Sequence, residues 1–216
     1  MDEITRNAPV IKFEKTIAKF FGAPYGVATD CCTNALELCF RLDQQQRGKA
    51  VVIAKVPFYT YHSIPIMLDK IGQAWKFEDN KWEGYYNLTP DIIDAAVYWK
   101  KGGYQPGTKM CISFQRTKHL STDRGGIILL DNEEDASLLR KMAYDGRART
   151  DVAWWKQEID VIGYHYYLSP SKAELGLKNF EAVKDAQVKE KNWDYYRRID
   201  NYPIFKKKNS QPLTIL

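Results

Sequence analysis

Ser113 and Lys118 bracket the polar stretch Ser113-Phe114-Gln115-Arg116-Thr117-Lys118, which continues through His119-Leu120 to Gly125-Gly126. The apolar run Met110-Cys111-Ile112 leads into it and Ile127-Ile128-Leu129-Leu130 leads out, a pattern that predicts two buried strands flanking one polar loop. An amine held at the end of a strand and partly stripped of water gives up its proton more readily. Its lone pair is then free to attack a carbonyl. The competing reading is an ordinary solvated lysine, the usual fate of this side chain. Local features leave both open.

Two further stretches have the residue types for ligand chemistry. Asp30-Cys31-Cys32-Thr33-Asn34 stands between a predicted strand, Tyr25 to Thr29, and a predicted helix from Ala35 to Leu42. A small polar turn in that position aims free backbone N–H groups at an anion. Without a glycine-rich fingerprint it reads equally well as a plain helix cap, supplied by Asp30 or Thr33. Pro57-Phe58-Tyr59-Thr60-Tyr61 closes an apolar run and is either a ring-stacking platform or aromatic filler for core and rim.

The elements that must position these residues follow from hydrophobic period. Ile11, Phe13, Ile17, Phe20 and Phe21 share one face of a helix that Gly22 closes. Ala50 to Val56 is nearly all apolar, as in a strand covered on both faces. A helix from Ser63 to Ile71 and a strand from Gln73 to Phe77 follow. This alternation predicts an α/β fold, a mainly parallel sheet with helices on both faces. Thr89-Pro90-Asp91 has the chemistry of a helix start, and 101–107 of a loop. Asn132-Glu133-Glu134-Asp135 opens a helix with Arg140 and Lys141 near its end. Residues 147–169 are aromatic and polar without period, and Pro170 starts a long helix expected to reach Tyr196.

The chain has 216 residues, 44% hydrophobic and 27% charged, enough for one domain with a substantial core. The net charge of +5 gathers near the C-terminus, including Lys206-Lys207-Lys208. No recognition motif accompanies it, so a solvated basic tail is a better reading than a nucleic-acid surface. Four cysteines without a CxxC pair, and only three histidines, give no metal spacing and suit reduced thiols in the cytoplasm. The opening Met1-Asp2-Glu3-Ile4 has no signal-peptide character, and no apolar run approaches membrane-spanning length.

Ser113-Phe114 through Lys118 to Gly125-Gly126 resembles the cofactor-lysine segment of the DegT/DnrJ/EryC1/StrS family of sugar aminotransferases, which have the type I fold of pyridoxal 5'-phosphate (PLP) enzymes. Three more blocks are similar in the same order: Phe13 to Gly22, Tyr25 to Leu36, and Gly163 to Leu177. The likeness spans about Ile11 to Phe180. It implies that Lys118 carries PLP and moves protons, that Cys32, Thr33 and Ser113 hold the phosphate, and that Tyr61 stacks on the ring. It places His165 where the family has an asparagine that reaches the phosphate of a second subunit, and it implies a homodimer. The substrates implied are a nucleotide-linked keto-sugar and an amino donor.

Two departures from the family stand out. A strand-helix-strand expected between Lys100 and Met110, with the aspartate for the pyridine nitrogen, has no residues to house it; Asp79 or Asp94 could substitute, with nothing to choose between them. The resemblance also divides the chain into a PLP-transferase-like domain over 1–190 and a basic tail over 191–216, a remnant of a small C-terminal domain. Two functions therefore stay open. One is a shortened transaminase; the other is an inactive relative that binds PLP, a sugar nucleotide or a partner chain.

Overall fold

A computed structural model describes residues 3–48 and 52–206. Helix α1 (Glu3–Phe21) is followed by β1 (Tyr25–Thr29), α2 (Cys32–Arg47), β2 (Ala54–Pro57), α3 (Ser63–Lys70) and β3 (Trp75–Glu78). Then come β4 (Tyr86–Asn87), β5 (Ile92–Asp94), β6 (Lys109–Ser113), β7 (Gly126–Leu130), α4 (Glu133–Ala143), α5 (Pro170–Val183) and the short α6 (Pro203–Lys206). The strand read from Ala50 begins at Ala54; positions 50 and 51 lie outside the described residues.

The α/β class stands, and the main sheet is mixed, in the order β1-β7-β6-β5-β4. The β5–β6 pairing is parallel; β1–β7, β6–β7 and β4–β5 are antiparallel. The β2-α3-β3 unit forms a separate parallel pair, tied to the main sheet by Lys55 N–H donating to Leu88 O at 2.8 Å.

Side chains of β6 and β7 alternate between two cores, as period-2 geometry requires. Cys111, Ile128 and Leu130 face α2, α3 and α4. Met110, Ile112, Ile127 and Leu129 face α1 and α5. Burial on both faces explains why these strands read as continuous apolar runs. On α1 the buried stripe is Val10, Phe13, Ile17 and Phe21, and full burial of a side chain such as Phe13 contributes about 1.5–3 kcal/mol. Close packing against α5 depends on Gly176, where a Cβ would lie 2.5 Å from the Phe13 ring.

Two expected helices are corrected. No helix starts at Thr89. Its hydroxyl instead accepts the Ile92 N–H at 3.0 Å, closing a turn that feeds β5. Pairing of Ile92, Ile93 and Asp94 with β6 overrides the local capping signal. Helix α5 stops at Val183, well short of Tyr196, because the charged run beyond it has no apolar face to bury. The chain continues irregularly, with a single 3₁₀ turn at Trp193–Tyr195, and is pinned by buried Ile199 and Phe205.

Candidate active site

Strands β5 and β6 run parallel with Asp94 level with Cys111, so their C-terminal ends open on the same side of the sheet. Beyond β6 the chain makes a tight loop and returns as β7. Phe114 N–H donates to Gly125 O at 2.9 Å, Thr122 N–H to Phe114 O at 2.9 Å, and Arg116 N–H to Asp123 O at 3.0 Å. Within it, Lys118 N–H donates to Gln115 O at 2.8 Å, fixing the turn that carries the lysine. Buried Leu120 and Thr122 anchor this loop to the core.

The opposite wall is the N-terminus of α2. Its cap is Cys31, whose Sγ accepts the Asn34 N–H at 3.4 Å; Asp30 and Thr33 are engaged elsewhere. Asp30 accepts from Asn34 Nδ2 at 2.7 Å and pairs with Arg124 at 2.7 Å, and Thr33 Oγ1 shares a hydrogen bond with Ser63 Oγ at 2.8 Å. Gly126, at the start of β7, presses against this helix end: a Cβ there would lie 2.6 Å from Cys32 N. The close approach requires glycine and sets the width between the helix end and the lysine loop.

Of the residues singled out in the sequence, Lys118, Cys32, Ser113 and Tyr61 come together in this one region, and Thr33 follows Cys32 in the first turn of α2 with its hydroxyl on Ser63. Ser113 is buried at the end of β6, its Oγ accepting the Gln115 N–H at 3.4 Å. Tyr61 stands at the rim, 51% exposed. His165 does not join them within the chain. Its side chain is 75% exposed and meets Asp145 at 3.1 Å.

Three residues of the site were undecided or unforeseen. Asp94, one of two acids left open, is buried at the end of β5. It stands in the segment expected to be helical, which forms β5 instead. Its Oδ1 accepts the Ala96 N–H at 2.9 Å and its Oδ2 accepts from the Tyr86 hydroxyl at 2.5 Å. Tyr86 and Thr60 hydroxyls are in turn 2.5 Å apart. The third is Tyr196, whose hydroxyl accepts from Lys118 Nζ at 3.0 Å. The signal for Asp94 was its place straight after an apolar pair; for Tyr86 and Tyr196 the sequence holds no local signal.

Electrostatics mark Asp94 and Lys118 as a pair of opposed groups. Burial pushes the Asp94 carboxyl above its ordinary range, against the pull of Tyr86, Ala96 and Lys118. Burial likewise pulls the Lys118 ammonium down, opposed by Tyr195, Asp94 and Cys32. Removal of water thus brings acid and amine toward each other, as at sites that move protons. Burial also keeps the Cys32 thiol protonated, well above its usual range.

The DegT/DnrJ/EryC1/StrS aminotransferase family profile matches residues 2–102 and 98–205. The spore coat polysaccharide biosynthesis protein SpsC of Bacillus subtilis is 24% identical over 236 residues, covering 85% of this chain and 59% of SpsC. The uncharacterized protein MJ1066 of Methanocaldococcus jannaschii is 29% identical over 248 residues, covering 93% of this chain and 63% of its own. The chain therefore spans about three fifths of these relatives. Among solved structures, Helicobacter pylori PseC, an aminotransferase of pseudoaminic acid biosynthesis, superposes with TM-score 0.73 at 14% identity over 95% of this chain and 82% of PseC. AtS13 from Actinomadura melliaura superposes with TM-score 0.71 at 19% identity over 82% and 60%.

Proposed function

The chain belongs to the DegT/DnrJ/EryC1/StrS aminotransferase family, and from that membership we propose that it is a PLP-dependent aminotransferase that moves an amino group onto a nucleotide-linked keto-sugar. The observation that carries this reading is that Lys118, on the loop after β6, and a buried acid, Asp94, at the end of β5, lie close enough to shift each other's protonation. A binder without activity needs the lysine and the anion cup alone; a catalyst also needs the acid. The sugar class draws on the relatives, among them a spore coat polysaccharide protein and an aminotransferase of pseudoaminic acid biosynthesis.

The donor set suits the cofactor. PLP, when bound, supplies an aldehyde for an amine and a pyridine ring that accepts electrons once its nitrogen is protonated. Lys118 Nζ would hold the aldehyde carbon and then carry a proton between substrate and ring, work suited to an amine whose pKa burial has lowered. Asp94 would keep the proton on the pyridine nitrogen, its carboxylate oriented by Tyr86 and the Ala96 N–H. Cys32 and Thr33 at the α2 N-terminus, with the Thr33 and Ser113 hydroxyls, would receive the phosphate. Tyr61 would cover one ring face.

A homodimer belongs to the same reading. His165 is exposed beside Asp145 and free to meet a second subunit. Val152, Trp154, Trp155, Ile159 and Ile162 expose large apolar side chains on the preceding segment. No helix among the described residues is long and apolar enough to cross a membrane, and the proposed setting is the cytoplasm.

The test is to incubate the protein with PLP, reduce with borohydride and map the adduct. Modification of Lys118, lost in Lys118→Ala, is the expected result. An adduct that survives this substitution, or maps to Lys109, overturns the assignment.

A further inference from the structure

Two cavities of about 460 and 520 Å³ lie along α1 and include none of the lysine-site residues. A cavity of about 180 Å³ beside Lys118 lies between Ser113, Trp99 and Val188. That is below the roughly 300–1,000 Å³ of small-molecule sites. Part of the region bounded by Lys118, Asp94, Cys32 and Tyr61 is taken up by the chain itself.

The filler is Tyr196. Its hydroxyl accepts from Lys118 Nζ at 3.0 Å, and its ring lies 6.3 Å from Tyr61 and 6.1 Å from Trp82. Burial raises its phenol pKa, and Asp94, Cys32 and Tyr61 are close enough to add to the effect. An aromatic ring with an oxygen on the lysine therefore sits among the groups that the cofactor ring would meet. We infer that residues 193–199 form a displaceable plug, with Tyr196 occupying the cofactor's place over Lys118, so that cofactor loading and release of this segment are one coupled event. The cofactor half of this statement rests on the function proposed above; the cover over Lys118 does not.

The way the segment is held suits a plug. Trp193 N–H donates to Trp82 O at 2.9 Å and Ile199 N–H to Phe58 O at 2.9 Å, pinning the two ends. Between them Asp194, Tyr195, Arg197 and Arg198 are exposed. Tyr196 is the side chain that turns inward. Of residues 193–199, Trp193, Tyr196 and Ile199 pack against the core, and a strap held at those points opens at lower cost than the sheet beneath it. Buried Phe205 anchors the chain beyond, so opening need not unfold the C-terminal end. Because only the open form can accept the cofactor, apparent affinity falls by the fraction of time the strap is open.

The test measures modification of Lys118 by trinitrobenzenesulfonate, a reagent with a ring of its own, mapped by peptide mass and normalised to exposed Lys178. PLP affinity is followed in parallel by near-visible absorbance. Tyr196→Ala should speed Lys118 labelling about tenfold, the scale of losing a hydrogen bond to a charged group, and tighten PLP by a similar factor. Tyr196→Phe, which keeps the ring, should fall between wild type and Tyr196→Ala. Ile199→Ala loosens the strap from outside the site and should act in the same direction, so the inference does not hang on one variant folding. Equal labelling of Lys118 in wild type and all variants overturns the plug. So does faster labelling together with PLP binding that no variant changes. Faster labelling with no PLP uptake by any form leaves the plug standing as a cover over Lys118 and removes the cofactor reading instead.

Discussion

The Tyr86 hydroxyl donates to Asp94 Oδ2 at 2.5 Å, and the two residues face each other directly across the β4–β5 pairing. Register alone therefore aims a phenol at a buried carboxylate. This bond favours the ionised form of Asp94, whereas burial disfavours it more strongly. Tyr86→Phe should push the Asp94 pKa higher still and leave Thr60 without its hydroxyl partner. A buried group left unsatisfied costs about 1–3 kcal/mol. Denaturant unfolding should show a loss of that order; a variant as stable as wild type would refute the argument.

Asp94→Asn asks whether the acid matters to chemistry or only to folding. Asparagine fills the same space and can still accept from Tyr86, but it cannot hold a proton on a pyridine nitrogen through charge. PLP uptake should persist, since phosphate and lysine contacts do not involve this group. Single-turnover conversion to the pyridoxamine form with an amino donor should fall at least about a hundredfold, the scale of removing one preorganised electrostatic partner. Conversion at the wild-type rate would assign the role to another acid.

Lys118 makes a prediction about stability. Its pKa is lowered in the folded protein, chiefly by burial. Below the lowered value the lysine is charged in both states, and the fold bears the full cost of burying that charge. As pH rises from the lowered value toward that of a free lysine, the folded form sheds its proton first and the cost is relieved. Lys118→Met should therefore gain stability relative to wild type at neutral pH, with the gain shrinking at alkaline pH. Denaturant midpoints across a pH series would show it. A gain that does not change with pH would mean that the variant acts through packing alone.

What could be read from the sequence was what is locally encoded. The β6–loop–β7 hairpin announces itself through two apolar runs and a glycine pair, and α2 and α4 through their polar starts. Strand β5 was hidden because Thr89-Pro90-Asp91 is good helix-start chemistry, while three strand residues have no period to detect. Only pairing with β6 decides their state, and with it the position of Asp94. Tyr86 and Tyr196 were out of reach for the same reason. The first depends on strand register, and the second on where an irregular segment folds back some 78 residues from its lysine partner. The cap on α2 went to Cys31, because Asp30 was drawn to Asn34 and Arg124.

The segment before His165 predicts assembly. Trp154 and Trp155 pack edge to face with centroids 5.7 Å apart, yet are 57% and 68% exposed, and Ile159 and Ile162 are exposed beside them in sequence. Aromatic residues can each bury about 150–250 Å², and a stable interface needs roughly 800 Å² per partner. Two tryptophans and two isoleucines can therefore supply the apolar centre of such an interface, with charged neighbours as its rim. Light scattering at micromolar concentration should give twice the chain mass. The double substitution Trp154→Ser, Trp155→Ser should yield monomers whose unfolding midpoint at low concentration matches wild type, because exposed side chains contribute little to the isolated chain. A wild-type monomer would sink the prediction. A variant that stays dimeric would move the interface elsewhere and leave the two tryptophans to another partner.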